Sequence, residues 1–285
     1  MDKNLSFQIA GGSVTGTDHS LPGKPGAKNN HDAFLWKVSP EVKVAIVCDG
    51  CGSGAHSEVG AKLGAELISQ IILNQYIQLV HYQPGAQITR ENFWLRVKKE
   101  IVNQLTLITG LLGPSLTKVV NDYFLFTFVG VLITPETTYI FSVGDGLYCL
   151  NGDLHLLGPF INNAPPYFAY NLTGSNIKET NENWLDIQIN EATATSEVKS
   201  ILIATDGAEK FSKIANQAVP GKQELIGPLS QFWEQDFFFD NPDQVRRRLN
   251  IINRETVQNQ TVIGGPLKDD TTLIVIRRKV EEGKS

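Results

Sequence analysis

Short blocks of apolar, β-branched and aromatic residues recur along the chain and end at Gly, Asn or Asp, a pattern typical of β-strands. Some blocks are apolar almost throughout, as in VKVAIVC and ILIAT, which predicts strands that are buried on both faces. The pattern predicts six strands, at Ala33–Val38, Val42–Cys48, Tyr123–Ile133, Thr138–Val143, Ile201–Thr205 and Thr272–Ile276.

Two long helices are predicted between the second and third of these strands. In each, large apolar residues recur at every fourth position, as on one side of an amphipathic helix. The first series, after a predicted N-cap at Ser57, is Val59, Leu63, Leu67 and Ile71; the second, after Thr89, is Phe93, Val97, Ile101 and Leu105. A shorter helix is predicted over residues 243–253, because the preceding Asn-Pro is a helix-start signal.

The order of these elements predicts an α+β fold. Strands come first, followed by two helices, a run of strands, short helices and a closing strand, which differs from the alternation of a doubly wound parallel sheet. This order suits a layered sandwich in a single domain over residues 1–285. The polar, turn-rich segment 160–183 is predicted to be a loop or flap inserted into that domain.

Composition and charge narrow the possible partners. Of the 285 residues, 41% are hydrophobic and 19% charged, as expected of a soluble globular protein with a substantial core. The net charge is -5, and the one basic cluster, Arg246 to Arg248, is interpreted as a solvated helix face, so nucleic acid is not an expected partner. No signal peptide is recognised and no apolar run reaches the roughly 18 residues of a membrane span, so no membrane partner is expected.

The cysteines favour a reducing, cytoplasmic location. There are three, Cys48, Cys51 and Cys149, an odd number that cannot make a disulfide framework. Cys48 and Cys51 form a Cys-x-x-Cys, but neither a second pair nor histidines at ligand spacing follow it, as a zinc site requires. Asp-Gly in its middle also differs from a redox motif that opens a helix. Both readings are therefore set aside.

Aspartates recur where predicted strands end or begin. Asp49, Asp145 and Asp206 each precede a glycine after a strand, Asp269 comes just before the last strand, and Asp32 precedes the first. Asp-Gly is also a common turn, so any one of these positions alone is explained by turn formation. Together, carboxylates from distant strand ends would repel each other unless a cation lies between them. Oxygen ligands of this kind suit Mg²⁺ or Mn²⁺.

The candidate chemistry is that of a two-metal site. Two such ions activate a water, orient a phosphoryl group and stabilise the attacking and leaving oxygens. The chain has five histidines, but no Gly-x-Ser-x-Gly nucleophile motif contains one, and neither a Gly-x-x-x-x-Gly-Lys-Ser/Thr loop nor a dinucleotide-binding glycine motif is present. The sequence therefore favours metal-dependent hydrolysis over nucleotide binding or serine-type catalysis.

At these positions the chain resembles the protein phosphatase 2C family of metal-dependent Ser/Thr phosphatases. The resemblance spans roughly residues 8–278, with the blocks in the family's order, and the second block is closest to bacterial members. The blocks that carry it are NNHDAF, VCDGCGSGAHSEVGA, FTFVGVLI, FSVGDGLYCL, ILIATDG and KDDTTLIVI.

The resemblance implies a central antiparallel β-sandwich flanked by helices on both faces. It also implies a phosphatase that uses a metal-bridging hydroxide to attack phosphoserine or phosphothreonine, with two Mn²⁺ or Mg²⁺ ions and a phosphorylated protein as partner; a monomer is expected. The implied metal ligands are Asp32, Asp49, the carbonyl of Gly50, Asp206 and Asp269, and Asp145 matches the position of a third, weaker metal. The implied catalytic residues are Asp49, Lys28 and His31.

Four positions depart from the family pattern. His31 replaces a glutamate, so a neutral imidazole would have to act as the ligand. The phosphate-binding arginine falls on Ala27, which leaves Lys28 and Lys24 nearby; a lysine lacks the bidentate fork of arginine. Cys51 replaces the histidine of eukaryotic members. Lys210 stands where many members have a further aspartate, which argues against a strong third metal site.

These departures keep two alternatives open. One is a binding or regulatory module that has the fold but weakened catalysis, which Ala27 and His31 favour. The other is a hydrolase of small phosphoesters. The intact set of Asp49, Asp206 and Asp269 favours the active phosphoprotein phosphatase.

Overall fold

Two five-stranded antiparallel sheets form the centre of the protein. The computed structural model describes residues 6–20, 29–161, 164–174, 183–258 and 260–279. The first sheet consists, in spatial order, of β1 (Phe7–Val14), β12 (Thr271–Arg278), β9 (Ser200–Ala204), β6 (Gly146–Leu150) and β7 (Asp153–Leu157). The second consists of β2 (Ala33–Val38), β3 (Lys43–Gly50), β4 (Phe126–Ile133), β5 (Thr137–Val143) and β8 (Gln188–Ala194). A short hairpin, β10 (Thr256–Gln258) and β11 (Thr261–Ile263), lies outside both.

Helices and helical turns connect and cover the sheets. The α-helices among the described residues are α1 (Thr17–Ser20), α2 (Ser57–Tyr82), α3 (Leu95–Leu112), α4 (Leu116–Val119), α5 (Tyr170–Thr173), α6 (Phe211–Ile214), α7 (Gln231–Glu234), α8 (Phe237–Asp240) and α9 (Gln244–Ile252). Two π-helical segments, Arg90–Trp94 and Val120–Phe124, and two 3-10 turns, Thr195–Glu197 and Asp206–Lys210, complete the helical elements.

The two sheets pack face to face over an apolar interior. Strands β3 and β4 of the second sheet contact β6, β9 and β12 of the first. The side chains between the sheets are almost all β-branched or aliphatic, including Val47, Val131, Ile203 and Ile274, and each of these is fully buried. Burying such side chains from both sheets is the main stabilising contribution of a sandwich core.

Helices cover both outer faces. The second sheet packs under α2 and α3, and the first packs under the helices α6 to α9, with a separate apolar cluster at each contact. Each sheet therefore has one face on its partner and one on helices, which explains strand sequences that are apolar throughout. The predicted α+β fold, with antiparallel sheets and helices, is confirmed.

All six predicted strands are present, with ends that differ by at most a few residues. The largest difference is at β4, because residues 120–124 form a π-helical segment before the strand. The other six strands, β1, β6, β7, β8, β10 and β11, were not predicted. Strands β1, β7 and β8 are edge strands, and β7 and β8 carry mostly exposed residues, so a pattern of buried apolar blocks does not find them. Strands β10 and β11 have three residues each, and β6 is a buried strand of five residues that lies in the first sheet between β9 and β7.

The two long helices differ in how well their buried faces match the apolar series. In α3 and the turn before it, the series Phe93, Val97, Ile101 and Leu105 is buried, and Thr89 is the N-cap, as predicted. In α2, Val59 and Leu63 are exposed. Ile71 is buried and Leu67 partly buried, as predicted, and the other residues that face the core include small ones together with Ile68 and Ile72. Ser57 is the first helical residue rather than the N-cap.

Two further sequence interpretations need correction. Within the segment 160–183, Phe168 and Ala169 are fully buried, and Phe168 packs on Phe128, so this part is not all surface loop.

In the basic triplet, Arg246 and Arg247 pair with Asp243 on the solvent side. Arg248 is 13% exposed and binds Glu224 and backbone carbonyls, so it is a packing residue. No described helix is both long and apolar enough to cross a bilayer.

Candidate active site

Five residues predicted from strand ends line one cavity at an edge of the sandwich. Asp49 and Gly50 end β3, Asp145 lies between β5 and β6, Asp206 follows β9, and Asp269 comes shortly before β12. The cavity has a volume of about 240 Å³. Its other lining residues are His19, Cys51, Gly52, Thr127, Pro165 and Tyr167. The end of each of these strands thus places a carboxylate in the same small cavity.

Asp32 lies behind this cavity rather than in its wall. It is buried, with 4% of its surface exposed, and its Oδ2 accepts a hydrogen bond of 2.8 Å from Thr205 Oγ1. Thr205 is also held by the backbone, since its N–H donates to the carbonyl of Thr272 at 3.0 Å. Asp32 therefore fixes the residue that directly precedes Asp206, whatever else it binds.

Burial and mutual repulsion raise the pKa of every carboxylate in the cavity. Desolvation is the largest cause in each case. The pKa of Asp206 rises to about 6 because it is buried and near Asp269 and Asp145. The pKa of Asp49 is raised well above its ordinary value by burial and by four neighbouring aspartates, and that of Asp32 is raised well above it by burial and by Asp270. Among the described residues that line this cavity, His19 is the one basic side chain.

The glycines after these aspartates are required by close backbone contacts. A Cβ on Gly207 would lie 2.0 Å from the carbonyl oxygen of Asp270, and one on Gly50 would lie 2.8 Å from the carbonyl oxygen of His31. Both distances are too short for any side chain. The glycines therefore let the strand ends carrying Asp206 and Asp49 lie directly against the segments carrying Asp270 and His31.

His31 is positioned next to the cavity by its backbone. It is buried, its N–H donates to Asp270 Oδ2 at 2.7 Å, and its ring lies 5.0 Å from the ring of His19. It is not among the cavity-lining residues. Lys28, the predicted phosphate-binding residue, and Ala27 and Lys24 lie outside the described residues.

Two residues at the site, His19 and Asp270, were not predicted from the sequence. Asp270 is 3% exposed and accepts hydrogen bonds of 2.7 Å from the N–H groups of both Gly16 and His31. His19 Nδ1 lies 3.1 Å from its Oδ2. The only available signal was the position of Asp270 beside Asp269; nothing in the spacing of His19 pointed to it.

Cys51 forms a polar contact at the cavity wall. Its Sγ lies 3.1 Å from Ser53 Oγ. Burial alone would raise the pKa of the Cys51 thiol, but hydrogen bonds with Ser53, Tyr167 and nearby backbone lower it below its ordinary value. Cys48, by contrast, is fully buried in β3, and both are free thiols.

A second, larger cavity adjoins the first. It has a volume of about 750 Å³ and shares Asp206 and Asp269 with the small cavity. Leu154 and Leu156 of β7, each about half exposed, and Trp233 give it an apolar wall. Its lining also includes three lysines, Lys210, Lys213 and Lys268.

The fold is found in solved structures of very different sequence. A C. elegans sex-determining protein shares it with a TM-score of 0.55 and 10% identity, over 96% of this chain and 65% of that one. The catalytic domain of the serine/threonine phosphatase PstP, in complex with two manganese ions, matches with a TM-score of 0.46 and 14% identity, over 95% and 97%. The serine/threonine phosphatase Stp1 of Staphylococcus aureus matches with 0.48 and 13%, over 98% of both chains.

Sequence comparison gives a family but no individual relative. No curated protein sequence matches the chain significantly. A sequence profile described as protein phosphatase 2C matches residues 15–250, which include Asp32, Asp49, Asp145 and Asp206. This match covers well over half of the 285 residues, and the sandwich with carboxylates at its strand ends agrees with it. The chain belongs to the protein phosphatase 2C family.

Proposed function

We propose that this protein is a metal-dependent phosphatase of phosphoserine and phosphothreonine in proteins. The observation that carries the proposal is the meeting of Asp49, Asp206 and Asp269, from three distant parts of the chain, in one small cavity. Carboxylates whose pKa values are raised by burial and by neighbouring aspartates are stable together only as protonated groups or around cations.

The donor atoms of this cavity fit divalent cations. Asp206 Oδ1 and, just behind the wall, Asp32 Oδ1 are buried without a hydrogen-bond partner. Buried polar atoms of native proteins almost always have a partner, so these oxygens point to ligands that complete them. The all-oxygen set is the kind that Mg²⁺ and Mn²⁺ prefer.

Each residue then has a defined task. We assign Asp49, Gly50 through its carbonyl, Asp206 and Asp269 to hold two ions, with Asp145 beside a weaker third position. Bound ions of this kind acidify a coordinated water and neutralise charge on a phosphoryl group. Asp32 positions Asp206 through Thr205, and its unpartnered Oδ1 is proposed to lie in or just outside the same ligand shell. His31 and Lys28 remain proposed catalytic residues, with Lys28 assigned to the phosphate.

The larger cavity supports a protein substrate. A phosphoryl group placed at Asp206 and Asp269 would lie beside a cavity of about 750 Å³ that has an apolar wall. The lysines of this cavity would contact negatively charged groups of the substrate. A small phosphoester would leave most of this cavity unfilled. The catalytic efficiency on a phosphopeptide relative to an aryl phosphate separates these two substrate classes: a preference for the phosphopeptide supports the proposal, and an equal or lower efficiency favours the small substrate.

The proposal is tested by hydrolysis of an aryl phosphate in Mn²⁺, Mg²⁺ or chelator. We expect metal-dependent release by the native protein and a loss of at least about 100-fold in Asp206→Asn, because a ligand to the reacting centre contributes several kcal/mol. Asp153→Asn, at an exposed position of β7, is the matched control and should keep full activity. Retention of more than about a tenth of the activity by Asp206→Asn would contradict the two-metal assignment.

A binding module is the second candidate, and His31 is the observation that favours it. An imidazole near the cavity, unlike a carboxylate, supplies no negative charge to hold cations. Under this reading, the native protein binds Mn²⁺ in calorimetry but releases no phosphate with any metal.

A further inference from the structure

We propose that His19, His31 and Asp270 form a second, nitrogen-rich metal site that binds a transition-metal ion of the Zn²⁺ or Co²⁺ type in preference to Mg²⁺. The inference does not depend on the proposed catalysis, since it concerns binding alone. Among the described residues, these three form a group whose ligand atoms, one from each side chain, all lie within 4.8 Å of one another. None of them belongs to the aspartate set assigned above, apart from the proposed catalytic role of His31.

The carboxylate of Asp270 is already oriented for such a role. Its Oδ1 accepts a hydrogen bond from Gly16 N–H and its Oδ2 one from His31 N–H, both of 2.7 Å. Each carboxylate oxygen has a second lone pair, so Oδ2 can still bind an ion. Hydrogen bonds from backbone to a ligating carboxylate are the usual way in which proteins orient metal ligands.

His19 is also held in place by the backbone of its own helix. In α1, the N–H of Thr17 donates to the carbonyl of Leu267 and that of Asp18 to the carbonyl of Lys268, each at 3.0 Å. These bonds join α1 to the segment that carries Asp270. The His19 ring is therefore presented to Asp270 by a fixed turn, although its side chain keeps 22% exposure and can rotate.

The contact between His19 and Asp270 leaves room for an ion. His19 Nδ1 lies 3.1 Å from Asp270 Oδ2, and this buried nitrogen has no hydrogen-bond partner. Metal–nitrogen bonds of about 2.0–2.1 Å put two ligands of one ion at most about 4.2 Å apart. The three ligand atoms, all within 4.8 Å of one another, are therefore at most about 0.6 Å outside that range.

The ligand types decide the metal. Two imidazoles and one carboxylate occur in catalytic zinc and non-haem iron sites, whereas Mg²⁺ takes oxygen ligands and keeps its waters. His19 also lines an open cavity of about 670 Å³, with His56 and Glu58 on its wall, which gives a fourth ligand such as water access to the ion. An ion here would link the chain at residues 19, 31 and 270 and so position Asp32 and Asp269, which adjoin two of these ligands.

The test uses Co²⁺ as a spectroscopic probe in the full chain carrying Asp206→Asn, which disables the aspartate site. We expect one Co²⁺ per chain with the visible absorption of nitrogen-coordinated cobalt, and a rise in melting temperature with Co²⁺ or Zn²⁺ that Mg²⁺ does not give. Adding His19→Ala should weaken Co²⁺ binding by at least about tenfold and abolish the absorption, because losing a direct ligand costs more than losing its orienting partner.

The matched control is His56→Ala, which removes an exposed histidine from the wall of the neighbouring cavity and should leave Co²⁺ binding unchanged. His19→Gln serves as a second variant if His19→Ala reduces folding, as judged by circular dichroism. Equal Co²⁺ affinity and absorption with and without His19 would overturn the site, as would the absence of any Co²⁺ binding in Asp206→Asn. Because the experiment measures metal binding, its outcome does not depend on whether the native protein is an active phosphatase.

Discussion

The side chain of Asp206 links the stability of the fold to the candidate function. One of its oxygens is buried without a hydrogen-bond partner, and Asp269 and Asp145 are close enough to raise its pKa. Without cations, the ionised carboxylates of the cavity repel each other in the folded chain but are far apart in the unfolded chain. The same arrangement that makes the site receptive to cations therefore destabilises the metal-free fold.

Metal-free protein should become more stable as pH falls from 7 to 5. The folded-state pKa of Asp206, about 6, is above its ordinary value of 3.8, so the folded chain binds a proton that the unfolded chain does not. This stability is present in full below the unfolded pKa and is lost as pH rises through about 6. We expect a gain on the order of 1–3 kcal/mol in the free energy of urea unfolding, measured in chelator.

Asp206→Asn separates this effect from other titrations. The variant should be more stable than the native protein at pH 7 in chelator and should show a much smaller change between pH 7 and pH 5. Asp153→Asn, exposed on β7, should behave as the native protein does. An unchanged pH dependence in Asp206→Asn would mean that its carboxylate is not the group that titrates.

Also at the residue scale, the sequence identifies those site residues whose position follows from a neighbouring strand. Asp49 and Asp206 end apolar strands, and Asp269 lies just before one, so their convergence could be anticipated from strand order. His19 and Asp270 could not, because their contact joins residues 251 positions apart through a helix of four residues that has no strong sequence pattern.

Among the elements, α2 shows how far helix periodicity can be trusted. Its apolar series suggested that Val59 and Leu63 mark the buried side, yet the helix turns small residues to the core. A Cβ on Gly60 would lie 1.6 Å from the carbonyl oxygen of Tyr123, so the helix backbone packs directly on the segment 120–124. Apolar periodicity records large side chains only, and it misses a face buried by close backbone approach.

Gly60→Ala should therefore destabilise the protein by about 2–3 kcal/mol, because the added methyl group forces α2 away from Tyr123. The free energy of unfolding from urea titration measures the effect. Gly110→Ala is the matched control in α3, where a Cβ meets no atom within 4 Å. That change should stabilise the helix by roughly 0.5–1 kcal/mol, because alanine has the higher helix propensity. Equal effects of the two substitutions would contradict the close packing of α2.

At the scale of the whole molecule, the apolar layer between the sheets is shared by both. Ile203 of β9 is fully buried in it, paired with Ile274 on one side and Tyr148 on the other. Neither sheet can lose this layer without exposing the inner face of its partner. The two sheets should therefore unfold together.

Ile203→Ala is expected to lower the unfolding free energy by about 2–5 kcal/mol while keeping a single transition. Val257→Ala, at a position 70% exposed in the β10–β11 hairpin, should change it by less than about 0.5 kcal/mol. Far-ultraviolet circular dichroism and tryptophan fluorescence should give the same midpoint for each variant. Midpoints that differ between the two probes would indicate sheets that unfold separately.

The pairing of β1 with β12 also bears on how the protein is made. Val14 and Thr271 lie opposite each other in register, although they are 257 positions apart. At a synthesis rate of about 5–20 residues per second, the first strand leaves the ribosome on the order of 10–50 s before its partner exists. During that interval β2 to β5 can pair with one another, but Asp269, which comes just before β12, is not yet beside Asp49. A nascent chain therefore completes the aspartate-lined cavity only when β12 is made.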